Sequence, residues 1–166
     1  MQLDEFYDYK NQLIGDLLTN KKIVHLLNDT EEIRTNPEGL VYTQLFPFEF
    51  VPEINETAKT FICCDVDIFG VSNKTFLTPD LHIWVFTHKT LLKLPDGGMR
   101  IDRLCSEIAK TINGSRCYGL GELSLYSVQR FSPVQDYLGK VMIFEAKDFN
   151  RPSPSGKYVP SNRKCG

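Results

Sequence analysis

The chain has 166 residues, 42% hydrophobic and 24% charged, with a formal net charge of -2. That length and apolar content suit one globular domain with its own core. The charge argues against a dedicated nucleic-acid binder, whose face must be basic to neutralise phosphate, and no apolar run reaches the roughly 20 residues that span a bilayer.

The opening MQLDEFYDYK is acidic and amphipathic rather than basic then apolar, so it does not read as a signal peptide. The expectation is a soluble protein made in a cytoplasm. Residues from Leu3 to Thr19 predict a helix with Phe6, Leu13 and Leu17 on its apolar stripe. Asn20 and the following lysines interrupt it, and Ile23, Val24, Leu26 and Leu27 predict a second, short helix. Asp29 to Gly39 reads as a polar loop, with Pro37 and Gly39 as breakers. An aromatic stretch follows, broken by Pro47 and Pro52, which allow only short or edge strands. Phe46, Phe48 and Phe50 share one parity, so an extended chain shows all three on one side. Two readings stand there: a loop whose Phe46 and Phe48 cap the core, or an aromatic arm that docks on a partner.

Thr60 to Phe69 alternates, with Ile62, Cys64, Val66 and Ile68 opposite Asp65 and Asp67, the pattern of a half-buried strand. GVSNKTFLTPD is long for a hairpin connection and is expected to project. Leu81 to Phe86 is apolar on both faces and predicts a central strand with Trp84 in the core. Ile101, Leu104, Cys105, Ile108 and Ile112 then recur at the i, i+3, i+4, i+7, i+11 spacing of one helix face. They predict a helix over Met99 to Asn113, stopped by Gly114 in a left-handed conformation. ELSLYSVQRF and GKVMIFEAKDF predict two further strands, paired antiparallel.

The fold class is therefore α+β: a mostly antiparallel sheet of four or more strands, helices packed on one face, in the order α-β-β-α-β-β. Residues 1–149 form that domain. Residues 150–166 read as an extended tail, rich in proline and serine, with Arg151, Lys157, Arg163 and Lys164 and no acidic residue.

Chemistry-bearing patterns are weak. The five cysteines follow no CxxC spacing and are expected to be reduced thiols. Asp65 and Asp67 share a strand face that could hold a divalent cation, but a solvent-facing strand edge explains them as well. Pro79-Asp80 with Glu145-Ala146-Lys147 imitates the PD-(D/E)xK nuclease pattern, yet a helix and a strand separate the two halves. His25, His82 and His88 read as structural. Gly119-Leu-Gly121 lacks the third glycine of a dinucleotide loop, and neither GxSxG nor HExxH occurs. The expectation is a protein with no catalytic residue, no metal and no cofactor.

The phrases LHIWVFTHKTLL, MRIDRLCSEIAKTIN and GLGELSLYSVQRFSPVQDYLGKVMIFEAKDFN, in that succession, resemble the small neck proteins of tailed bacteriophages. The likeness is strongest to tail-terminator or tail-completion proteins. It implies a helix-backed sheet that assembles into a ring, usually a hexamer, capping the tail tube and joining it to the head-tail connector. DNA would pass through the lumen without specific binding, and the protein would reside in the virion after assembly in the host cytoplasm. A head-tail adaptor or stopper of the same neck is the nearest alternative. From another class, the rival is a small metal-dependent nuclease or phosphohydrolase using Asp65, Asp67 and Asp80. The residues expected at a subunit or partner interface are Phe46, Phe48, Arg151, Lys157, Tyr158, Val159, Arg163 and Lys164.

Overall fold

Apolar spacing and capping side chains together place the helical layer. The computed structural model describes residues 5–53, 57–71 and 76–149, except for the side chains of 69–71. Helix α1 (Glu5–Thr19) buries Tyr9, Leu13 and Leu17 at consecutive turns. The Asn20 side chain accepts a hydrogen bond from the Lys22 N–H at 3.0 Å and so starts α2 (Lys21–Leu27), in which Ile23, Val24, Leu26 and Leu27 are all buried. The far end of α2 leaves carbonyls without helical partners. Arg100 meets that need, donating to Leu26 O at 2.5 Å while its Nε binds Leu91 O at 2.9 Å.

The expected polar loop from Asp29 to Gly39 is instead mostly helical. The Thr30 hydroxyl caps α3 (Glu31–Thr35), and Pro37–Leu40 forms a 3-10 turn. Ile33 and Leu40 supply the reason, since both are buried and hold a polar segment against the core.

The sheet has five strands: β1 (Leu45–Phe46), β2 (Thr60–Val71), β3 (Phe76–His88), β4 (Leu120–Phe131) and β5 (Tyr137–Phe149), in the order β1-β2-β3-β5-β4. Four strands are antiparallel, as expected, but β1 runs parallel to β2, so the sheet is mixed. Only two residues of the proline-broken aromatic stretch extend into this extra strand. Gln44 fixes it, its amide donating to Leu27 O and Thr60 O, both at 2.9 Å.

The long projecting connection is also corrected. Strands β2 and β3 take up most of it, and the rest, residues 72–75, lies outside the described residues. Pro79 sits inside β3, where pairing with β5 lapses between Leu77 and Asp80 and β2 shifts register between Ile68 and Gly70. A ring without an N–H is tolerated at such an irregularity.

Helix α4 (Arg100–Ile112) lies over β3 and β5, and α1 and α2 lie over β2. Ile101, Leu104, Cys105, Ile108 and Ile112 are buried in one cluster with Leu81, Ile83, Val85, Met142 and Phe144 of the sheet. Gly114 follows with φ +83, as its place after the helix predicts. Trp84 is not in this cluster. It is half-buried on the opposite face, stacked on His82 with ring centroids 5.6 Å apart. Cys63, Cys64 and Cys105 are free, and burial pushes their thiols up to about 12, about 12 and about 11, which leaves them unreactive at neutral pH. Cys117 is disulfide-bonded, which corrects the expectation of reduced thiols at that position. No helix among the described residues is long and apolar enough to cross a membrane.

Candidate assembly surface

Among the described residues the sheet has helices on one face only, and its other face closes itself with aromatic side chains. Strand register sets Phe61, Phe86, Gly139 and Phe131 in a single row across β2, β3, β5 and β4. Glycine in that row has a specific use. With no side chain on β5, Phe86 of β3 and Phe131 of β4 meet across it, their centroids 5.7 Å apart. Phe61 lies 5.3 Å from Phe86 and 5.8 Å from Tyr137. Tilted aromatic pairs of this kind contribute roughly 0.5–1.5 kcal/mol each beyond the area they bury.

Phe46 and Phe50 extend this cluster over the β1 edge. Their rings stack 4.1 Å apart at an interplanar angle of 6°, and Phe50 lies 5.3 Å from Phe61. Phe48 also meets Phe46, edge-on at 5.5 Å, so the three phenylalanines of equal parity gather around Phe46 although residues 47–50 leave the strand. Phe46 is only 7% exposed, whereas Phe48 is 43% exposed and packs near the exposed Tyr42 at 6.4 Å. Tyr42 has φ +61, a conformation that costs a non-glycine residue roughly 1–2 kcal/mol. Phe48 and Tyr42 are the exposed aromatic residues of this corner. Arg151, Lys157, Tyr158, Val159, Arg163 and Lys164 lie outside the described residues.

The opposite edge is wider than the helices that should cover it. On β4, Leu123 is buried, but Leu125 and Val128, on the helix side of the sheet, stay exposed, as does Leu138 on β5. Tyr126 is 68% exposed beside them. The groove between this overhang and the start of α4 has a volume of about 510 Å³, lined by Leu92, Met99, Ile101, Leu138 and the stems of Arg130 and Lys140. Strand β4 is terminal in the sheet, so beyond the stretch held by Asn113 and Ser115 its outer backbone has no neighbouring strand among the described residues. A twelve-residue edge strand with apolar side chains is a template for pairing.

Residues 20–146 match a family model described as YomW. The chain belongs to the YomW family. The match begins at the Asn20 cap of α2 and ends at Ala146 within β5, so it covers α2 to α4, strands β1 to β4 and most of β5. YomW is the name of a Bacillus phage SPBc2-like protein, which makes this a phage-related chain. No curated protein matches it.

Register places Asp67, Asp80 and Glu145 in one row on the helix-free face, so the halves of the nuclease-like pattern meet after all. A helix lies between them in sequence, but an antiparallel sheet pairs strands without regard to that distance. Asp65 does not join the row; it pairs with Lys10 of α1. Among the described residues, no three histidine, cysteine, aspartate or glutamate side chains converge closely enough to hold a metal ion.

Asp80 is 5% exposed, and its Oδ1 has no hydrogen-bond partner. Its carboxyl is held above the usual carboxylate range, first by burial and then by the Glu145 charge across the strand. Asp67 adds to the rise, and His82 opposes it. The native state thus keeps this proton to higher pH than the unfolded chain, and stability falls as pH rises through that window. Asp80→Asn is therefore expected to raise the unfolding midpoint of dilute protein at neutral pH. The gain should shrink as pH falls through the raised pKa toward the ordinary carboxylate value. Thermal scans of both proteins across that range check it, and a lower midpoint for the variant at neutral pH contradicts it.

Proposed function

We propose that this YomW-family chain is a structural protein of a phage neck, a tail terminator whose ring caps the tail tube and joins it to the head-tail connector. The observation that carries this reading is the terminal strand of the sheet: among the described residues β4 pairs with a strand on one side only, and it exposes Leu125, Tyr126 and Val128. A chain that stayed monomeric would gain solubility by covering or charging that edge. The helix-backed sheet agrees with the resemblance to neck proteins, and the family supports a phage context. A net charge of -2 also suits a ring through which DNA must slide, since basic walls would hold phosphate. Head-tail adaptor or stopper is the neighbouring role in the same neck.

The tail belongs to this proposal. Residues 150–166, fully extended, reach roughly 50 Å at about 3.3 Å per residue. A compact domain of the preceding residues is about 40 Å across by the size scaling of globular chains. Such a segment spans a neighbour, and linking subunits raises their effective concentration. The purified full chain is expected to sediment at several times its 19.0 kDa mass and to show rings by electron microscopy. Deleting everything after Arg151 should leave the domain folded and weaken that assembly. A full chain that stays monomeric at every concentration tested rules the ring out.

The Asp67, Asp80 and Glu145 row, with Lys147 on the same face of β5, favours a second reading as a metal-dependent nuclease. Incubation of single- and double-stranded DNA with magnesium or manganese separates the two. The neck reading expects no cleavage, whereas cleavage that disappears in Asp80→Asn and Asp67→Ala would establish the enzyme.

A further inference from the structure

We infer that the aromatic corner at the β1 edge docks into the apolar groove at the β4 edge of a second copy, joining subunits head to tail. The inference rests on the ring reading above and names the contact that would close the ring. Large apolar side chains exposed on the described residues are not scattered. Apart from Tyr7, Phe76 and Phe149, they gather at the two ends of the strand order. Tyr42, Phe48 and Val51 stand at the β1 corner. Leu125, Tyr126, Val128, Met99 and Leu138 stand on the β4 overhang and along its groove.

The two places differ in shape and cannot satisfy each other within one chain. At the corner, Phe48 meets Phe46 edge-on at 5.5 Å and Tyr42 at 6.4 Å. Phe46 beneath them is buried, and the Tyr42 N–H donates to Leu45 O at 2.9 Å, so both rings are held on ordered backbone. At the other edge, the groove of about 510 Å³ is walled by Leu92, Met99, Ile101 and Leu138. Aromatic anchors held in position and seated in apolar pockets carry much of the energy of protein interfaces. Four interstrand spacings separate corner from groove, about 20 Å at about 4.8 Å each, so a corner fills the groove of another copy.

Position and charge both favour that pairing. Phe46 is in register with Cys63, Trp84, Val141 and Gln129 across the sheet. The groove lies within a few residues of that row, at Arg130, Leu138 and Lys140. Patches at one level carry each copy sideways with little rise along the strands, the condition for a closed ring rather than a filament. Residues 40–53 contain Glu49 and Glu53 but no lysine or arginine. Glu49, next to Phe48, is exposed and has no ion-pair partner among the described residues. Arg130 at the groove is exposed and unpaired among the same residues, whereas Lys140 beside it is held by Asp102. A copy docked through Phe48 therefore brings a carboxylate in need of a partner to a guanidinium in the same state.

The test is sedimentation of full-length chains. Phe48→Asp spoils the guest and Leu138→Asp the host, each by setting a carboxylate in an apolar contact. Each variant alone is expected to keep the circular dichroism of the parent and to sediment as a monomer. Mixed in equal amounts they should form dimers and nothing larger, because one intact corner and one intact groove remain in each pair. Only a head-to-tail contact behaves so; a symmetric β4-to-β4 pairing gives no such rescue. Separately, Glu49→Arg and Arg130→Glu should each weaken association by up to about fivefold per contact, and combining them in one chain should restore it. Should a carboxylate variant unfold, this charge exchange decides. A folded mixture that stays monomeric, or a double reversal that recovers nothing, overturns the docking. Rings that persist in Phe48→Asp overturn it too and leave the neck reading standing, with the groove taking some other segment. A parent chain that is monomeric at every concentration overturns both.

Discussion

Gly139→Ala should cripple folding, at a cost of roughly 3 kcal/mol or more, because an added methyl has no room. An ideal Cβ at Gly139 would lie 2.2 Å from Val85 O and 2.8 Å from the Phe86 Cα, both backbone atoms, and 2.6 Å from the Phe86 Cβ. Only separation of β3 from β5 relieves that overlap, and separating them breaks the aromatic row and the central ladder together. A matched control lies in α1. Gly15 has nothing within 4 Å of its would-be Cβ, so Gly15→Ala should stabilise by about 0.5–1 kcal/mol through helix propensity. Urea unfolding of the two variants beside the parent reads both effects. Equal and small shifts would mean that the Phe61–Phe86–Gly139–Phe131 row is not packed as described.

Leu104→Ala is the second large effect. Leu104 is fully buried in the middle of α4, against the sheet. Its truncation removes transfer free energy and leaves a cavity that surrounding side chains fill only in part, for a loss of about 2–5 kcal/mol. In a chain of this size the unfolding midpoint should drop by roughly 5–15 °C. Lys110 is on the other side of the same helix, with its side chain 64% exposed and paired with Glu107. Lys110→Ala should cost far less, under about 0.5 kcal/mol, because its ammonium is in solvent and Lys22 also lies 3.9 Å from the mostly buried Glu107 carboxylate. Similar shifts from both variants would overturn the face assignment of α4.

Helix α4 shows what local pattern can do. Five apolar residues at helical spacing and a glycine after them predict Met99 to Asn113, and the structure gives Arg100–Ile112 with those residues buried. The short helix α2 is legible for the same reason, and so are β2 and the antiparallel pairing of β4 with β5. The stretch from Asp29 to Gly39 misleads because its composition is polar. The Thr30 cap and buried Ile33 were there to be read, but the segment is too short for periodicity to outweigh charge.

The candidate surface was hardly legible. Phe46 and Phe48 read alike in the sequence as partner contacts, yet Phe48 is exposed and Phe46 buried. Parity says which residues share a side only while the chain remains extended, and Pro47 ends the strand after Phe46. Phe61, Phe86 and Phe131 could have been suspected from their share of the second sheet face, though their meeting across Gly139 depends on register.

What the amino-acid sequence determined by itself is the set of elements: helices from the 3.6-residue period and their caps, strands from alternation, and an α+β class from their order. Those signals act within a few residues, so a linear reading recovers them. Which strands are neighbours, where Asp80 meets Glu145, why residue 139 must be glycine and which edge stays bare were decided only in three dimensions. Each depends on a pairing register between segments tens of residues apart, and a one-residue slip would send every side chain to the other face.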